Sequence, residues 1–347
     1  MDSVQLDKRS ITRRDVLGGL LAASVFSSTA RMAHAQVINA ATEIHSTLQE
    51  LAPNVYVFLQ REAAGQSNFF VSNCGLVVGP RSMLAIDTAG GPVQARKFIS
   101  EAKRFGKPFD RIVITHEHGD HIVGLPSFPA GLEVIAQENT RAQMLKLVGS
   151  PRPTFWNNNP AWAEPEDKYQ IVIPTLTFQD RMSVYYGDIE VRLFFAGRAH
   201  TLGDTLVLLP QQRILFAGDI AFFGVTPLNV SGYMADWIKL CDRLLADPEI
   251  QIIVPGHGPV GGKAQLADMK GYFELLWNEG RKRYESGMSP GRAAADIPLG
   301  RYANWSDHQR IAFNMVRLYS EFDGSIGPEI DRAAVAAAMK EYDSANR

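Results

Sequence analysis

Cysteine is nearly missing from this chain, with only Cys74 and Cys241 among 347 residues. That scarcity excludes a disulfide-built scaffold and a thiolate metal site. Cys74 lies in an apolar run and Cys241 in an amphipathic helical pattern, so two separately buried thiols are expected rather than a bridge. An excess of charge is missing too: the net charge is -2 and the sequence pI is near 6.5. Neither value points to a nucleic-acid partner. The most apolar stretch, residues 16–30, is about 15 residues long where a bilayer needs about 20, so no stable membrane span is expected. There is no G-x-S-x-G elbow for a serine nucleophile, and no short-period repeat.

What is present is ordinary globular composition, 46% hydrophobic and 21% charged, enough to bury a substantial core without staples. The first 35 residues read as an export signal. Arg13-Arg14 precede the apolar stretch, and Ala33-His34-Ala35 forms an A-x-A cleavage signature. A twin-arginine-type leader predicts a periplasmic or secreted protein that begins at Gln36 after cleavage and loads any cofactor before export.

From residue 55 onward, short β-rich runs alternate with helical patterns, twice over, which predicts a layered α/β architecture. Strands are expected at 55–59, 75–78, 83–86, 112–114, 132–136, 171–178, 182–186, 189–195, 205–209, 213–216 and 252–254. Helices are expected at 93–105, 138–147 and 234–246, with mostly helical structure after 262. Residues 150–170 contain four prolines together with Phe155, Trp156 and Trp162. Long loops in compact domains are commonly functional, so a substrate-covering lid is expected there, with an aromatic-pinned surface loop as the alternative.

The chemistry concentrates in Thr115-His116-Glu117-His118-Gly119-Asp120-His121, which follows an apolar strand. In extended backbone, residues two apart face the same way. His116 and His118 can therefore share one metal, while Asp120 and His121 address a second. His200, Asp219 and His257 each end a further apolar strand, the last flanked by Gly256 and Gly258, which permit close backbone approach. Imidazole and carboxylate donors suit zinc first, with iron or manganese as alternatives. His45 and His308 stand outside this pattern and are expected to be ordinary surface or core residues.

This order of motifs resembles the metallo-β-lactamase superfamily over roughly residues 51–262. The resemblance implies a four-layer αββα sandwich carrying two divalent metal ions, most simply zinc. It implies His116, His118 and His200 on one metal, Asp120, His121 and His257 on the other, and Asp219 bridging both. Asp120 would also orient the attacking water, and Asp87 matches an acidic position close beneath the site. The domains expected are a leader (1–35), a catalytic domain (36–262) and a helical C-terminal extension packed on it (263–347). That extension can cover the sandwich, shape the pocket mouth or form a homodimer interface.

Phe222, Phe223, Trp156 and Trp162 are expected to form an aromatic wall, with Trp237 nearby in sequence and Arg198 as an anion contact. The substrate expected is therefore a small, apolar or aromatic ester, lactone, thioester or similarly activated compound, hydrolytic dehalogenation included. Members of the family that cleave β-lactams carry Cys or Ser where this chain has Asp219, which disfavours that alternative. A redox di-iron protein or a metal-binding accessory protein is the third reading.

Overall fold

The computed structural model describes residues 44–62, 70–153, 156 and 159–346; the leader expected over 1–35 lies outside them. Thirteen strands form two mixed sheets among the described residues. The first has the order β1 (Ile44–Ala52), β2 (Val55–Glu62), β3 (Cys74–Val78), β4 (Met83–Ile86), β5 (Phe109–Val113), β6 (Glu133–Gln137) and β7 (Leu176–Phe178). Its β1 to β4 pair antiparallel, and β4 to β7 pair parallel. The second has the order β13 (Gly261–Gly262), β12 (Ile252–His257), β11 (Ile214–Phe222), β10 (Thr205–Leu209), β9 (Ile189–Phe195) and β8 (Arg181–Tyr186).

The period-2 alternation of the strands sorts their side chains into layers. Val55, Val57 and Leu59 meet Val191, Leu193, Val207 and Phe216 between the sheets. Tyr56 and Phe58, on the opposite face of β2, join Phe98 of α1 (Pro92–Ala102) and Met144 of α3 (Glu138–Leu147) in an outer core. On the far side, Leu206, Leu208 and Leu215 pack against four longer helices: α4 (Met234–Ala246), α5 (Lys263–Glu285), α7 (Ile311–Phe322) and α8 (Arg332–Ala345). The shorter helices are α2 (Gly119–Ile122) and α6 (Pro290–Asp296). The result is the expected αββα sandwich, and the helices after 262 share a continuous core with the second sheet. Cys74 and Cys241 are both buried and free. No helix among the described residues is long and apolar enough to cross a membrane.

Three elements differ from the sequence expectation. Residues 44–52 form an edge strand whose polar, partly exposed face hides its alternation. Residues 171–175 stay irregular, and only Leu176–Phe178 pairs with β6. Strand β11 runs on to Phe222, through Asp219, with every residue buried.

Candidate metal centre

The site gathers at the ends of β5, β9 and β12 and within β11. His116, His118, His200 and Asp219 bring their ligand atoms within 4.8 Å of one another, as do Asp120, His121, Asp219 and His257. Asp219 belongs to both groups. Its Oδ2 lies 3.4 Å from His200 Nε2 and 3.3 Å from His257 Nε2, and its Oδ1 lies 3.0 Å from His121 Nε2. His200 Nε2 and His118 Nδ1 are 2.9 Å apart, and Asp120 Oδ2 is 3.1 Å from His257 Nε2.

Outer partners decide which ring nitrogen faces inward. Asp87 Oδ1 accepts from Thr115 N at 2.8 Å, and its Oδ2 accepts from Thr115 Oγ1 at 2.7 Å. That hydroxyl's proton is thus committed to Asp87, so it accepts from His116 Nδ1 at 3.0 Å and leaves His116 Nε2 with its lone pair. His121 Nδ1 faces Asp87 Oδ2 at 2.8 Å, which frees Nε2 in the same way. His118 is turned over: its Nε2 lies 3.4 Å from Ser231 Oγ, so Nδ1 points inward. Asp87 holds this post from a left-handed backbone position, φ 60°, which Asp tolerates better than most residues.

Glycine makes the approach of β12 possible. A Cβ on Gly256 would lie 1.9 Å from Asp219 Oδ1, and one on Gly258 would lie 2.0 Å from the Phe223 carbonyl oxygen. The turn carrying Gly256 and Gly258 is held by Asn73, whose Nδ2 donates to Pro255 O and Gly258 O. His200 is fixed by Asp204, which accepts from the N–H and hydroxyl of Thr201.

Electrostatics follow from burial and charge. Burial pushes His116 well below, His118 below and His200 down to about 3, so these three rings are neutral donors. Burial opposes charge on Asp219 as well, yet His257, His121 and His116 hold it well below the carboxylate range. Burial also opposes charge on His121 and His257, but Asp219 and Asp120 outweigh it, raising His121 strongly and His257 to about 9. His116 Nε2, His121 Nε2 and Asp219 Oδ1 are buried with no aligned hydrogen-bond partner. Buried polar atoms of this kind are costly unless something coordinates them. Five imidazoles and two carboxylates turned inward fit divalent metal ions, which displace the protons that His121 and His257 carry.

The expected aromatic wall lies inside the protein instead. Phe222 is fully buried and stacks on His257 at 4.9 Å with 6° between the rings. Trp237 meets His200 edge-on at 5.2 Å and donates to Ile220 O at 3.0 Å. Phe223 is buried in the same core. Trp156 and Trp162 are buried in the outer core, against Tyr169 and Phe70, and Arg96 ties the same loop down through Asp167. The described part of 150–170 is thus the aromatic-pinned loop, because its indoles are consumed by packing. Arg198 is paired with Asp236 at 2.8 Å and lies over Tyr233, which removes it as an open anion contact. His45 and His308 are exposed and belong to neither cluster.

Of the seven clustered residues six are buried and His118 is half-buried. Beside it opens a cleft of about 290 Å³, lined by α3, by Val230 and Ser231, and by Pro328, Glu329, Ile330 and Arg332. Helix α7 supports that wall through a polar stripe at helical spacing. Arg310, just before it, donates to Thr226 O, and Asn314 accepts from Asn229 N and donates to Pro227 O. Arg317 donates to Gly232 O and Ser231 O, and Glu321 accepts from Met234 N and Ala235 N. Sequence reasoning missed Ser231 and this stripe; only the 310, 314, 317, 321 spacing could have signalled it.

Two stacked sheets with paired His/Asp clusters at one edge define a class of metal-dependent hydrolase. The sequence profile of the metallo-beta-lactamase superfamily matches residues 67–257, more than half of the chain, and the chain belongs to that superfamily. It is similar to the type 2 metallo-beta-lactamase of Bacillus cereus, 25% identical over 226 residues, covering 63% of this chain and 79% of the relative. An acyl-coenzyme A thioesterase of Homo sapiens is 26% identical over 230 residues, covering 58% and 79%. Among solved structures, a metallo-beta-lactamase from Pontibacter korlensis aligns with TM-score 0.51 at 21% identity, covering 66% of this chain and 99% of the other.

Proposed function

We propose that the protein is a dinuclear-metal hydrolase, most simply a zinc enzyme, that cleaves an activated acyl bond in an ester, lactone or thioester. The observation that carries this reading is Asp219, whose carboxylate reaches both clusters at once. Two divalent ions held there would supply a nucleophilic water at neutral pH and polarise the scissile carbonyl. His116, His118 and His200 would hold one ion, Asp120, His121 and His257 the other, with Asp219 between them. Asp120 keeps its carboxylate ionised between His121 and His257, burial notwithstanding, and so can orient the attacking water and accept its proton. Asp87 and Thr115 fix the rings, and the buried surroundings exclude bulk water.

An aromatic substrate, aryl halides included, loses its main support with the burial of the aromatic rings. β-Lactam hydrolysis remains a second reading, favoured by the B. cereus relative. We also propose residues 36–262 as the catalytic domain, 263–347 as its integral cover, and a periplasmic or secreted location. Fractionation of cells expressing the chain with Arg13 and Arg14 changed to Lys tests the location.

The deciding assay offers an aryl ester, an acyl-coenzyme A thioester and a β-lactam to the metal-loaded protein, with Asp219→Ala as control. Ester or thioester turnover that the variant loses supports the acyl hydrolase. No turnover of any substrate by a protein carrying about two zinc ions would reject it. Stoichiometric iron with redox activity would establish the redox alternative.

A further inference from the structure

Resting on the hydrolase reading, we propose that the cleft beside His118 seats the non-reacting part of the substrate, and that Lys146 and Arg332 select substrates bearing an anionic group there. Both residues line the cleft. Lys146 lies in the last turn of α3, where its Nζ donates to Gln143 Oε1 at 2.8 Å. Arg332 is the first residue of α8. Among the described residues neither cation has a salt-bridge partner, whereas other cations of the C-terminal helices, such as Lys270 and Arg283, are each held by two acids.

The segment carrying Arg332 is fixed. Asp331 caps α8 by accepting from Ala333 N and Ala334 N, and Arg317 reaches Glu329 O at 3.4 Å. Leu147, Val230 and Ile330 supply apolar surface along the same cleft. An acyl chain with a terminal carboxylate, sulfate or phosphate matches this combination: apolar contact along its body and two cations for its end. Glu329 also lines the cleft, so the selection is a contest of charges. Neutralising Glu329 must strengthen it.

The test compares 4-nitrophenyl hydrogen adipate with 4-nitrophenyl hexanoate, which share leaving group and chain length and differ in one terminal carboxylate. The wild-type kcat/KM should favour the adipate. Lys146→Gln with Arg332→Gln should lower it roughly 2- to 30-fold for the adipate, the reach of two exposed ion pairs, and by less than about twofold for the hexanoate. Glu329→Gln should move the adipate value upward, and the preference should shrink with added salt. A wild-type preference for the hexanoate, or an equal loss on both esters, overturns the proposal. Calorimetry with adipate and hexanoate as ligands separates this question from catalysis. Both offer one carboxylate to a metal and only adipate offers a second, so tighter adipate binding that the double variant loses supports the site even if neither ester is cleaved. Equal binding of the two rejects it.

Discussion

Arg317 of α7 donates to the carbonyl oxygen of Gly232 at 2.7 Å, and through that bond a C-terminal helix holds the turn whose Ser231 hydroxyl faces His118. Arg317 is 1% exposed, and its guanidinium also serves Ser231 O and Glu329 O. The distal helices are therefore part of the site's wall.

Replacing Arg317 by Ala leaves the carbonyls of Gly232, Ser231 and Glu329 without this donor, the first of them buried, at a cost of about 2–3 kcal/mol. Chemical denaturation should report that loss. Arg317→Lys, which restores a charge without the fork, should recover only part of it. KM should rise more than kcat falls, since the cleft wall loosens while the ligands stay. An Ala variant as stable as wild type would contradict the clamp.

The double membership of Asp219 predicts an asymmetry in metal content. After dialysis against a weak chelator, wild type should retain about two ions per chain and His200→Ala about one. Asp219→Ala should hold fewer than His200→Ala, because it weakens both clusters. Elemental analysis by mass spectrometry decides, and an Asp219→Ala protein retaining both ions would refute the bridging arrangement.

Asp87→Asn keeps size and tolerates the left-handed backbone at φ 60° while removing one strong acceptor from Thr115 and His121. Loss of such an outer partner costs 10- to 100-fold in metal affinity or activity. Asp87→Ala should be worse, since it adds backbone strain to the lost hydrogen bonds. Competition titration with a chromophoric chelator measures both, and an unchanged affinity in the Asn variant would separate Asp87 from metal holding.

Metal binding should be coupled to protons. His121 and His257 are raised by Asp219 and Asp120, His257 to about 9, so near pH 7.5 both carry protons that a cation must displace. The sign is set: affinity falls as pH drops, and binding releases about one to two protons. Calorimetry in buffers of different ionisation enthalpy gives the number. Proton-neutral binding at pH 7.5 would show these charges to be absent.

Much of this was legible in the sequence because metal chemistry demands particular residues at strand ends. The 115–121 block, Asp219 after its apolar strand and the glycines around His257 all carry signals that survive without coordinates. The aromatic wall failed for a physical reason: Phe222 and Trp237 lie near the ligands in sequence, but proximity does not say which face a ring presents. Here the rings press on His257 and His200 from behind, keeping them in place. Ser231 and Arg317 were illegible because a serine in a turn and an arginine on a helix are commonplace until the fold joins them.

The bonds from Arg310 and α7 to residues 226–235 end on main-chain atoms at Thr226, Pro227, Asn229, Ser231, Gly232, Met234 and Ala235. A grip on backbone is indifferent to which side chains that backbone bears. Val230 can therefore be exchanged in the search for new specificities while the turn keeps its course and Ser231 keeps its hydroxyl on His118, making this segment an interchangeable face on a fixed mount.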